Sequence, residues 1–134
     1  MSSEIRDWVL EALRQSKIDV VPLPKAEARL LVSNAKRNFV NGNPRAWWMN
    51  LKGSTKTYDS TNYKLVEILP SCDKDYWFIP ETEEESLPVF SLTRAEIETI
   101  LNECPFFEYY VLSKYNQWLV AESDHNQFYV NVLS

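Results

Sequence analysis

At 134 residues the chain has the length of one domain and can bury a core without disulfide or metal staples. Its 45% hydrophobic and 25% charged content is that of a globular protein rather than a disordered one. Two glycines exclude Gly-rich phosphate loops, and a formal net charge of −5 excludes the basic footprint of a general nucleic-acid binder.

The chain opens on an amphipathic pattern. Ile5, Trp8, Val9, Ala12 and Leu13 fall on one face of a helix over residues 3–16, with Ser2 or Ser3 as its cap. This charged start has neither the apolar core of a signal peptide nor a run that spans a bilayer, so a cytoplasmic protein without a membrane partner is expected. Residues 18–23 form a strand or an extended linker. A second helix is predicted over residues 24–40, its buried stripe Ala28, Leu31, Val32, Ala35 and Phe39, ended at Asn41-Gly42. Asn43 and Pro44 then start a short helix through residue 51. Its adjacent Trp47 and Trp48 cannot face the same way, so one plugs the core and the other covers a neighbouring element.

Residues 53–63 read as a mobile polar loop. Beyond it the period changes. Residues 64–69 and 76–79 are short apolar runs, each ended by proline, and are predicted to pair as a hairpin. Residues 81–85, ETEEE, form a solvated acidic loop, and residues 88–92 a short edge strand. Thr93 and Glu96 form a capping box that opens a helix with Ile97, Ile100 and Leu101 inward and Pro105 as its stop. Cys72 and Cys104 lack the spacing of a zinc ribbon or disulfide framework and read as structural thiols. No cofactor or metal is expected, since the single histidine, His125, has no ligand-spaced companion.

Residues 106–134 read as a three-stranded antiparallel meander broken at 113–116 and 123–126. Pairing Ser113 with Gln117 around a three-residue loop sets Leu112 against Trp118 and Glu108 against Glu122. Pairing Glu122 with Gln127 then sets Val120 against Tyr129. On that register Tyr109, Val111, Leu119, Ala121, Phe128, Val130 and Val132 form the apolar face. The other face carries Glu108, Tyr110, Trp118, Glu122 and Tyr129, the expected binding surface. Opposed carboxylates there would repel unless a cation or a basic ligand offsets them. The architecture predicted is α+β: one domain over residues 1–134, a helical part (1–53) packed on one face of a mostly antiparallel sheet (63–134).

The stretch CPFFEYYVLSKYNQWLVAESDHNQFYVNV, with FVNGNPRAWWMNLK and DYWFIPE earlier, resembles a small bacterial family known only as a domain of unknown function. Its members tend to end in an fEYY, Trp-Leu, acidic-His run. The chain departs from that pattern at Asp124-His125, where the family often has two histidines. The layout is also similar, in architecture and acidity, to the SUKH superfamily of toxin-immunity proteins. That likeness implies a non-enzymatic protein that binds and neutralises a basic toxin domain, and it carries over no catalytic residues. The alternative from the residues is a small-ligand binder or hydrolytic enzyme using Glu108, Glu122 and His125, which requires a pocket joining all three.

Overall fold

The computed structural model describes residues 4–70, 74–82 and 84–133. The expected caps Ser2 and Ser3, the turn residues 71–73 with Cys72, and Glu83 of the acidic loop lie outside them. Four α-helices are described: α1 (Glu4–Gln15), α2 (Lys25–Phe39), the single turn α3 (Leu65–Ile68) and α4 (Arg94–Glu103). The strands are β1 (Thr55–Asp59), β2 (Tyr76–Pro80), β3 (Phe90–Leu92), β4 (Tyr109–Leu112), β5 (Trp118–Glu122) and β6 (Gln127–Val132). They form one antiparallel sheet in the order β1-β6-β5-β4-β2-β3. The α+β architecture is therefore as expected, with the meander β4-β5-β6 at its centre. No helix among the described residues is long and apolar enough to cross a membrane.

The expected packing on one face is corrected: the N-terminal helices divide between the two faces of the sheet. Over one face lies α1, through Val9, Ala12 and Leu13, beside α3 and α4, against Tyr109, Val111, Trp118, Val120 and Phe128. The other is covered by α2, through Ala28, Ala35 and Phe39, and by Trp47, against Tyr110, Leu112, Leu119 and Ala121. The reason is the meander itself: all four residues of β4 and the first four of β5 are buried, which requires a layer on each side.

The capping box of α4 is formed. Thr93 Oγ1 accepts from the Glu96 amide at 3.2 Å, and Glu96 Oε1 accepts from the Thr93 amide at 2.9 Å. Trp47 is buried and Trp48 half-buried, dividing their roles as the sequence predicts. They sit in a short 3₁₀ turn (Trp47–Asn50) rather than an α-helix. The edges of that excursion are pinned by the bridge between Val40 and Leu51 and by Gly42, at φ +66°. Glycine adopts that left-handed conformation without a Cβ penalty.

Three expectations are corrected. Residues 64–69 do not pair with β2; they contain α3, whose Leu65 and the capping Leu69 just past its end are both buried. β2 pairs instead with β3 and β4. The polar loop 53–63 contains the edge strand β1, which pairs along its length with β6. Its partly buried Tyr58 packs on the core while the other side chains stay polar, the composition of a protected edge.

The third correction is the register. Ser113 pairs across its turn with Trp118, its amide donating to the Trp118 carbonyl at 3.2 Å. The loop thus holds four residues instead of three, with Asn116 at φ 55° and the Ser113 hydroxyl accepting from the Gln117 amide at 2.7 Å. Leu112 consequently faces Leu119, and Glu122 faces Tyr109. The second turn closes on Ser123 and Gln127, one residue from the predicted pairing, with Asn126 left-handed at φ 59°. A one-residue slip exchanges the faces of a strand. β5 is therefore inverted: Trp118, Val120 and Glu122 share a face with Tyr109, while Leu119 and Ala121 lie with Tyr110. The two slips cancel in β6, whose Phe128 and Val130 stand where the sequence places them.

Candidate functional site

The inverted strand separates the five residues expected to form one binding surface. Tyr110 is fully buried, and Trp118 is a core residue packed against Tyr76 at a ring-centroid distance of 5.6 Å. Glu108, Tyr110 and Tyr129 belong to the α2 side, and Glu122 to the α1–α4 side. Glu108 does not face Glu122, and the pocket joining both with His125 is not formed. What the sheet holds instead are two tyrosine–glutamate pairs, back to back, built from the adjacent residues Tyr109 and Tyr110.

On the α2 side the Tyr110 ring stacks on Trp47, with centroids 4.2 Å apart and planes 8° from parallel. Its hydroxyl accepts from the Trp47 amide at 2.9 Å and hydrogen-bonds the Glu81 carboxyl. Burial raises the Glu81 pKa, against the lowering effect of that hydrogen bond, with nearby Glu108 adding to the rise. Burial also pushes the Tyr110 hydroxyl far above its ordinary value. The backbone of Glu81 is tied to the same place, its amide donating to the Glu108 carbonyl at 2.8 Å.

Glu108 sits at the end of this row and is fully engaged. One oxygen accepts from Trp48 Nε1 at 2.6 Å and the Asp124 amide at 3.3 Å; the other meets Arg45 Nη1 at 3.3 Å. Trp48 in turn contacts His125 edge-on and Tyr129, at centroid distances of 5.4 and 5.6 Å. His125 lies against Asp124 at 3.5 Å, both exposed at the turn tip. Glu108 thus clamps the 3₁₀ turn to the β5–β6 turn. Its donors Arg45 and Trp48 escaped the sequence reading because nothing local marks a long-range partner.

The acidic loop is tied down as well. Besides Glu81, Glu84 reaches Arg6 of α1 at 3.3 Å, so these two acids are not part of a solvated charge run.

On the opposite side the Tyr109 hydroxyl donates to Glu122 Oε1 at 2.6 Å. Burial raises the pKa of Glu122, partly offset by this bond, and raises that of Tyr109 well above its usual value. The pair lies in a recess of about 390 Å³ whose other walls include Tyr63, Glu98, Leu101, Asn102 and Phe128. Glu98 and Asn102 are four residues apart on α4 and present one face together. Their i, i+4 spacing was visible in the sequence; the neighbour that makes them a wall was not.

Charge divides in the same way. The α2 helix exposes Lys25, Arg29, Lys36 and Arg37 against Glu27 alone. On the other side α1 exposes Glu4, Asp7 and Glu11 against Arg14, which pairs with Glu11, and the half-exposed Arg6, while α4 exposes Glu98 and Glu103 beside the half-exposed Arg94, so the balance there is acidic but mixed. Among the described residues no group of three or more His, Cys, Asp or Glu is arranged to hold a metal ion. Cys104 is half-buried, its thiol near the Trp8 carbonyl at 3.5 Å, and burial raises its pKa, which disfavours the reactive thiolate.

Comparison of the chain with protein-family models, with curated proteins and with solved structures finds no match.

Proposed function

We propose that this is a non-enzymatic bacterial binding protein of the SUKH-like immunity type, acting in the cytoplasm to neutralise a toxin domain. Its partner is a basic protein, and the recognition surface is the acidic side built by α1 and α4. The observation that carries this reading is the segregation of charge across the sheet. An acidic net charge spread evenly would serve solubility alone. Concentrated on one side, opposite a basic helix, it gives the molecule a direction in which to meet a basic cleft, and complementary fields raise association rates and reject wrong partners. The aromatic residues first expected to contact the partner, Tyr110 and Trp118, are core; the surface role passes to the acids and to the recess beside them.

The test is co-expression with the tagged product of the adjoining gene. The wild-type chain is expected to be retained on the tagged partner and to relieve its toxicity. Asp7→Lys combined with Glu103→Lys should weaken binding by roughly tenfold or more at low salt, mostly through slower association. Lys25→Glu with Arg37→Glu on α2 should not weaken it. Equal loss from both pairs, or no binding to that product, would overturn the proposal.

A further inference from the structure

The recess over Glu122 has a chemistry of its own. Glu122 has been taken partly out of water, yet its carboxylate receives one hydrogen bond, from Tyr109, and among the described residues no cation pairs with it. A carboxylate desolvated in this way is held at a cost that an arriving positive charge would relieve. Glu98 adds a second negative charge on the wall, and Lys64, exposed at the rim, is the one cation lining the space among the described residues. Leu65, Leu101 and Phe128 supply apolar surface suited to an aliphatic stem, and the partly exposed Tyr63 ring offers a face to a cation. Asn102 and Ser60 offer neutral acceptors. An anion would meet two carboxylates.

We propose that this recess receives a guanidinium or ammonium group on an aliphatic stem, namely an arginine or lysine side chain presented by the basic partner. This rests on the reading of the acidic side as the recognition surface and names the contact at its centre. Guanidinium fits best, because its planar fork can serve the free oxygen of Glu122 and a neutral acceptor together. The bound cation favours ionised Glu122, so affinity climbs as pH rises through the elevated pKa of that carboxyl and levels off above it.

The experiment is a titration of the full-length protein, followed by amide NMR, with the capped peptide acetyl-Gly-Arg-Gly-amide. Its citrulline analogue serves as the neutral control and agmatine as the free small cation. The arginine peptide is expected to shift the amides of Tyr63, Asn102 and Glu122, with a Kd on the order of 1 mM for so small a probe. The citrulline peptide should not. Glu122→Gln keeps an acceptor for the Tyr109 hydroxyl, so it should fold normally while weakening the arginine peptide about tenfold. Shifts elsewhere, equal binding of the citrulline peptide, or an unchanged Glu122→Gln variant would overturn the site. Agmatine binding far more tightly than the peptide would overturn the side-chain assignment in favour of a free amine. Because Asp7 and Glu103 lie outside the recess, their reversal tests the wider surface separately.

Discussion

Tyr109 and Tyr110 are neighbours in sequence, yet their hydroxyls do different work. Tyr110 both hydrogen-bonds Glu81 and accepts from the Trp47 amide, deep in the α2 layer. Tyr110→Phe keeps the ring stack but leaves a buried amide and a buried carboxyl each without a partner, and such groups cost about 1–3 kcal/mol apiece. Tyr109→Phe removes one bond to a carboxyl that borders an open recess, for about 0.5–1.5 kcal/mol. Urea denaturation should therefore rank Tyr110→Phe well below Tyr109→Phe in stability; the reverse order would contradict the hydrogen bonding described. The sequence singled out Tyr110, Glu108 and Glu122 as chemically active positions. It could not show that Glu108 is consumed by Trp48, Arg45 and the Asp124 amide, since each of those partners arrives from a distant or turning part of the chain.

At the scale of elements, helices were legible where a local signal and a burial stripe agree, as in α1, α2 and α4. The Thr93–Glu96 box is a case in which four residues suffice. Thr93→Ala should cost about 1 kcal/mol by removing the acceptor for the Glu96 amide, with Thr93→Ser restoring most of it, measurable by thermal or urea unfolding. Strands were harder. Residues 64–69 contain Leu65, Ile68 and Leu69, which suit one turn of helix as well as a buried strand, and so short a run has no period to decide between them. The inversion of β5 came from a single residue in a turn. Both four- and three-residue loops are compatible with the sequence at 113–118, and the deciding factor is the Ser113 hydroxyl together with the left-handed Asn116. Because β5 is apolar on both sides, its own composition gave no preference for either face.

For the whole molecule, the raised pKa values of Glu81 and Glu122 make an unusual stability profile. Both carboxyls titrate in the unfolded chain near the ordinary value, about 4.3, and burial places them higher in the folded protein. Across that interval the folded state binds more protons, so stability rises as pH falls through the folded values and the gain is complete below the unfolded one. Asp59 and Glu11 act oppositely: hydrogen bonds from Thr61 and from Arg14 lower their pKa values, so their contribution is lost only as pH falls through those lower values. The urea midpoint should rise as pH is lowered from neutrality through the elevated values of these two carboxyls, before falling in stronger acid. The double variant Glu81→Gln, Glu122→Gln should flatten the rise; a steady fall in the wild type would contradict it. The strand order has a consequence of another kind. Among the described strands β1 has β6 as its sole neighbour, and β6 separates it from the rest of the sheet. On the ribosome, β1 emerges early and must wait, unpaired, for the strand that is synthesised after all the others. Its Lys56, Asp59 and three threonine or tyrosine side chains keep that waiting edge well hydrated. β6 thus joins a polar rim to an apolar centre, and β1 has no sheet to join until β6 has been synthesised.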